Sequence, residues 1–188
     1  MADFAADALA LADHLSWQRF ALIGISFGGM VAQEIAIAAP ERVTRMVLAC
    51  SSSGGPGGSS APLHDLLSLP DRERAERLIG LVDVRTATDP LLRAQVAQRL
   101  APVLADPDEG ARRQLEARRH HDTFGRLGAI TAPTLVAAGR HDGLAPPERS
   151  RALASAIPGA RLEVFEGGHG FLDQDPAAWP AVAAFLRE

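Results

Sequence analysis

Residues Phe20-Ala21-Leu22-Ile23-Gly24-Ile25 form an apolar run with strand propensity. From Phe27 onward the apolar residues fall at helical spacing. The change of period leaves Ser26 at a sharp strand-to-helix turn, inside the pattern Gly24-x-Ser26-x-Gly28. A side chain at such a turn is pushed clear of both elements. The flanking glycines let the strained backbone pass close to the serine without a Cβ. The new helix aims its free N–H groups at the same point. A hydroxyl held there suits nucleophilic attack on an acyl carbon, given a nearby base.

With 17 glycines in 188 residues, such a pattern arises by chance in about one comparable chain in ten. Its weight therefore comes from its placement between a strand and a helix. The same alternation continues. A helix is expected over 3–16, a strand over Arg19–Ile25, a helix over 27–39 ending at Pro40, and a strand over Arg45–Cys50. Residues 51–62 are rich in Gly and Ser and read as a hinge. Residues 63–127 then become rich in Arg, Leu and Ala, with helices expected near 63–68, 71–82, 88–104 and 107–121. Strands return at Pro133–Gly139 and Arg161–Phe165, with helices over 147–156 and 176–187. Strands alternating with helices imply an α/β fold with a mostly parallel sheet of about four strands. The expected organisation is a first core part at 1–62 carrying the elbow, a helical cap inserted at 63–127, and a second core part at 128–188.

Composition narrows the chemistry. The chain has no Tyr, Lys or Asn, so all 19 basic residues are Arg. That removes a Schiff-base lysine, a P-loop lysine and a Cys-His-Asn triad. The single Cys50 sits in an apolar run and reads as a buried structural thiol. No cofactor or metal motif is present. A net charge of −4, spread along the chain, does not suggest a nucleic-acid or anionic-membrane partner. There is no apolar run of membrane-spanning length and no basic start typical of a signal peptide, so the expected location is the cytoplasm.

Function in a parallel sheet collects at the carboxyl ends of the strands. Ser26, Asp142 and His169 each lie just past such an end. Together they form a candidate triad in chain order Ser…Asp…His. The Phe27 N–H is a candidate oxyanion donor. His64, which opens the 63–127 segment, and His121, where that segment returns to the sheet, are candidate substrate contacts.

The stretches Gly24-Ile25-Ser26-Phe27-Gly28-Gly29, Pro133-Thr134-Leu135-Val136-Ala137-Ala138-Gly139-Arg140-His141-Asp142 and Gly167-Gly168-His169-Gly170-Phe171 resemble the α/β-hydrolase superfamily. Within it, the chain is similar to esterases and lactonases of the 3-oxoadipate enol-lactonase type. The resemblance implies cofactor-independent cleavage of a small-molecule ester or lactone through an acyl-serine intermediate. It equally leaves room for perhydrolysis or carbon–carbon bond hydrolysis by the same triad. Family members begin with several strands and a His-Gly-rich loop that supplies a second oxyanion donor. This chain starts at the helix after them, so the resemblance implies an N-terminally truncated fold, shorter by on the order of 80 residues. The alternative expectation is therefore a non-catalytic or incomplete hydrolase-fold module without a full oxyanion hole. Phe20–Ile25 would also become an apolar sheet edge that invites a homo-oligomer.

Overall fold

The computed structural model describes residues 1–102 and 109–188. Four strands, β1 (Phe20–Ile25), β2 (Val43–Ala49), β3 (Thr134–Gly139) and β4 (Arg161–Phe165), form one parallel sheet in the order β1-β2-β3-β4. The helices between them are α1 (Ala2–His14), α2 (Phe27–Ala38), α3 (Asp71–Val82), α4 (Pro90–Leu100), α5 (Glu109–Arg119) and α6 (Pro147–Ala156). The short α7 (Phe171–Gln174) and the terminal α8 (Ala178–Arg187) follow β4.

Side chains alternate across a strand, and here both faces are buried. On one face Met46, Leu48 and Val136 pack with Ala32 and Ile35 of α2 and Leu153 of α6. On the other, Val47, Ala49, Leu135 and Ala137 pack with Phe171, Val182 and Phe185 of α7 and α8. All six residues of β3 are buried. The outer strand β1 differs. Phe20 and Leu22 lean on the first cluster, but Ile23 and Ile25 stay 40 % and 42 % exposed, because α8 covers the inner strands and not β1.

The strands and the helices α2, α3 and α6 match the sequence expectation to within about two residues. The segment between β2 and β3 differs more. Residues Leu63–Ser68 form a 3₁₀ helix rather than an α-helix. The helix expected over 88–104 is found as α4, which starts at Pro90 because Asp89 caps it by accepting from the Leu91 and Leu92 N–H groups, and Val84–Ala87 form an additional 3₁₀ turn before it. The expected end at 104 and the expected start of the next helix at 107 lie outside the described residues. Among the described residues, the 63–119 segment joins the sheet through the carboxyl end of α3. There Gly143 N–H donates to Leu81 O, His169 N–H donates to Val82 O, and Val84 N–H donates to His141 O.

The 51–62 loop is not built like a hinge. Ser51, Ser52, Ser53 and Gly54 are buried. Gln33 Nε2 donates to Ser52 O at 3.1 Å, Thr123 Oγ1 donates to Gln33 Oε1 at 2.6 Å, and Ser60 N–H donates to Ser52 Oγ at 3.1 Å. Buried polar groups tied on several sides resist opening.

Candidate active site

Ser26 lies between β1 and α2 with φ 54° and ψ −116°, a backbone conformation that non-glycine residues rarely adopt. The strain is held by packing. Ser26 N–H donates to Ala49 O at 2.8 Å, and Ser51 Oγ donates to Ser26 O at 2.9 Å. A Cβ on Gly24 would fall 2.6 Å from Gly28 O, and one on Gly29 would fall 2.6 Å from Ser51 Cβ. A Cβ on Gly28 would meet nothing within 4 Å. The crowding thus acts at Gly24 and Gly29, whereas the motif reading places it at Gly24 and Gly28. Phe27 opens α2, so its N–H has no acceptor within the helix. Its ring stacks edge-on against Phe4 of α1, 5.2 Å between centroids.

His169 comes from the turn after β4, and Asp142 from the turn after β3. His169 Nε2 lies 2.8 Å from Ser26 Oγ, and Nδ1 lies 2.8 Å from Asp142 Oδ2. The second carboxylate oxygen of Asp142 accepts the Leu144 and Ala145 N–H groups, each at 2.8 Å. The Asp142 side chain is fully buried, and that of His169 is 16 % exposed. An ionised carboxylate can only accept. Nδ1 of a neutral His169 is therefore the donor to Asp142, and Nε2 is left as the acceptor for the Ser26 hydroxyl proton. Residues 143 positions apart in the chain are joined in one hydrogen-bonded line.

The histidine turn is braced from below. Gly168 N–H donates to Gln174 Oε1 at 2.7 Å, and Gln174 Nε2 donates to Asp83 Oδ2 at 3.2 Å. Burial by itself would raise the Asp83 carboxyl, but the hydrogen bonds and charge of Arg85 hold it below the usual carboxylate range. Sequence reasoning missed Asp83 and Gln174, since neither sits in a motif and both act through contacts distant along the chain.

Cys50 Sγ, an Asp142 oxygen and a His169 nitrogen lie within 4.8 Å of one another. Binding a cation there would require the Cys50 thiolate. Burial, and secondarily the charge of Asp142, push that thiol well up from its ordinary value. Both Asp142 oxygens are also already engaged, Oδ2 with His169 and Oδ1 with the Leu144 and Ala145 N–H groups. The group is better suited to hydrogen bonding than to metal ligation.

The two candidate substrate-contact histidines do not join this line. His64 lies in the 63–68 turn, with Nε2 3.1 Å from Asp65 Oδ1. His121, just past α5, is 5 % exposed, while the adjacent His120 is exposed and paired with Glu116. Both His64 and His121 line a cavity of about 200 Å³ beside Met30, one turn along α2 from Ser26. A larger cavity of about 560 Å³ lies between the 63–68 turn and α3. Leu66, Leu69, Gly80 and Leu81 are among its walls, and Pro62 borders both spaces. Among the described residues no helix is long and apolar enough to cross a membrane.

The sequence model of the α/β hydrolase fold matches residues 1–176. A 2-hydroxy-6-oxononadienedioate/2-hydroxy-6-oxononatrienedioate hydrolase of Cupriavidus pinatubonensis is 34 % identical in an alignment that covers 93 % of this chain and 62 % of that protein. A poly(3-hydroxyalkanoate) depolymerase of Ectopseudomonas oleovorans is 31 % identical in an alignment that covers 94 % of this chain and 64 % of that protein. The chain thus spans a little under two thirds of the length of these relatives. The enol-lactonase from Burkholderia xenovorans superposes with a TM-score of 0.78 at 24 % identity, over 98 % of this chain and 72 % of that one. With the match covering nearly all of its length, the chain belongs to the α/β-hydrolase fold family.

Proposed function

We propose that the chain carries the catalytic core of a serine hydrolase that cleaves a carboxylic ester or lactone. The observation that supports this best is the hydrogen-bonded line from Ser26 Oγ through His169 to Asp142, 2.8 Å at each link. In this reading Ser26 Oγ attacks the acyl carbon while His169 Nε2 takes its proton. Asp142, its other oxygen held by two backbone N–H groups, keeps the imidazole in the receptive tautomer and stabilises the imidazolium. The Phe27 N–H donates to the oxyanion of the tetrahedral intermediate. Collapse expels the alkoxide, which takes the proton from His169. His169 then deprotonates a water that attacks the acyl-serine, and collapse of this second intermediate frees the acid as His169 returns the proton to Ser26 Oγ.

The segment 63–127 acts as the cap in this reading. The 560 Å³ cavity takes the apolar part of the substrate, because its Leu81 wall is hydrogen-bonded to Gly143 and lies next to Val82, which accepts from His169 N–H. The protein works in the cytoplasm on a small molecule and without a cofactor.

The test is labelling with a fluorophosphonate, which reacts only with an activated serine. Labelling of the wild type that disappears in Ser26→Ala is the expected result. A folded wild-type chain that is not labelled would overturn the proposal, and the chain would then act as an incomplete or binding-only module.

A further inference from the structure

His169 sits in the run Gly167-Gly168-His169-Gly170, and glycine restrains a backbone least of all residues. The restraint on this turn therefore comes from outside it. Val82 O accepts from His169 N–H at 2.6 Å, while the neighbouring Leu81 O accepts from Gly143 N–H at 2.9 Å and Val84 N–H donates to His141 O at 3.0 Å. The end of α3 is thus wedged between the turns that carry Asp142 and His169. A Cβ on Gly168 would fall 2.2 Å from Val82 O and 2.7 Å from Asp83 Cβ, so the histidine turn lies directly on this segment. Asp83 is fully buried at that contact and lines neither the 200 Å³ nor the 560 Å³ cavity. Four N–H groups converge on its two oxygens. Oδ1 accepts Arg85 N–H at 3.1 Å and Arg85 Nε at 3.0 Å, and Oδ2 accepts Arg85 Nη2 at 2.7 Å and Gln174 Nε2 at 3.2 Å. The last of these leads back to the turn, because Gln174 Oε1 accepts Gly168 N–H at 2.7 Å. A carboxylate only accepts and a backbone N–H only donates, so the amide between them has one orientation.

We infer that Asp83 and Gln174 are positioning residues for His169, and that the carboxylate of Asp83 sets the direction of the hydrogen bonds that hold the histidine turn against Ser26 and Asp142. The inference rests on the serine-hydrolase reading and adds to it two residues outside the triad. An amide at position 83 cannot replace the carboxylate. With its NH₂ at the Oδ2 place it meets Gln174 Nε2 and Arg85 Nη2, and at the Oδ1 place it meets the Arg85 N–H and Nε, so donors face donors in either orientation. Turning the Gln174 amide to accept from it brings Nε2 against Gly168 N–H and breaks the link to the turn. Exchanging the two groups repairs the conflict. A carboxylate at 174 accepts both Gly168 N–H and the amide N–H of an asparagine at 83, with the total charge of the pair unchanged.

Two measurements separate this inference from the hydrolase reading, on variants that thermal melts show to be folded. In the first, kcat and KM for 4-nitrophenyl hexanoate are compared. Asp83→Asn is expected to lower kcat about ten- to a hundredfold with KM unchanged within about twofold, since a misplaced histidine impairs the chemical step and not binding. The double variant Asp83→Asn/Gln174→Glu should regain most of that loss. Thr86→Val is the control. Thr86 Oγ1 donates to Asp83 O at 2.7 Å, so its loss loosens the same corner without touching the relay, and it should lower the melting temperature but not kcat. In the second, proton NMR follows the Nδ1–H of His169, identified by its loss in His169→Gln. That resonance should broaden away in Asp83→Asn and return in the double variant. A resonance that does so in a chain that hydrolyses no ester supports the positioning role and removes only the hydrolase reading. Wild-type kcat and an unchanged resonance in Asp83→Asn overturn the role and leave the hydrolase reading standing. A double variant as slow as Asp83→Asn, or Thr86→Val equally slow, also overturns it. Neither hydrolysis nor the resonance in the folded wild type overturns both.

Discussion

The sheet and the segment between β2 and β3 are built from opposite materials. In β3 every residue is buried, and apolar side chains pack on both faces. In α4 only Val96 is buried, and in α5 no residue is. The helices between β2 and β3 carry ion pairs such as Arg74–Asp71, Arg93–Glu76 and Arg113–Glu109, with the acid of each pair exposed. Pairs of this kind add little stability. The proposed chemistry is thus hung on the stiff part of the molecule and the proposed recognition on the compliant part. A triad tolerates little displacement, whereas a substrate pocket gains range from being adjustable.

The sharpest way to break this contrast is at the triad. Ser26→Ala is expected to lower ester hydrolysis by about 10⁴-fold or more while the melting temperature stays close to that of the wild type. Asp142→Asn should cost about 10⁴ in kcat, since an amide can hold the wrong imidazole tautomer. Esterase kinetics alongside thermal melts check both, and a variant that retained wild-type kcat would remove that residue from the mechanism.

Packing gives the next largest effect. Leu135→Ala, at a fully buried position of β3, is expected to destabilise by about 2–5 kcal/mol in denaturant unfolding.

A pH effect of intermediate size is expected at His121. Burial depresses it to about 4; Glu34 and the Ser52 backbone oppose that shift, while the Met1 amino group and Arg126 add to it. A histidine with a folded-state pKa below its unfolded value of about 6.5 binds its proton more readily when unfolded. Its contribution is therefore fully present above about pH 6.5 and is lost as pH falls toward 4. The loss should be about 3 kcal/mol, and it should be flattened in His121→Gln, as read from unfolding free energies across that window. At the small end, Leu91→Ala in α4, where the side chain is 79 % exposed, should change stability by no more than about 0.5 kcal/mol. A large loss there would mean that α4 is held far more tightly than its exposure indicates.

Much of the architecture was legible in the chain because it is written in short-range periods. The buried strands announce themselves as apolar runs, α3 and α6 as apolar residues three and four apart, and the elbow as a change from one period to the other. The less regular segment was harder to read. Whether Val84–Ala87 and Leu63–Ser68 form 3₁₀ turns or full helices depends on local caps such as Asp89, and on what lies underneath them.

By itself the sequence determined the strand and helix order, the parallel sheet class, and the presence of Ser26, Asp142 and His169 after three different strands. These follow from local patterning and from the handed connection of parallel strands. Tertiary structure alone decided that the three side chains meet at 2.8 Å, and that Gly24 and Gly29, not Gly28, are the crowded glycines. It also decided that His121 is buried while His120 is solvated, and that Asp83 supports a turn 85 residues further along through Gln174. The physical reason is the same in each case. Burial and hydrogen-bond partners are set by segments distant in the chain, and no local period in the sequence records which of those segments will pack together.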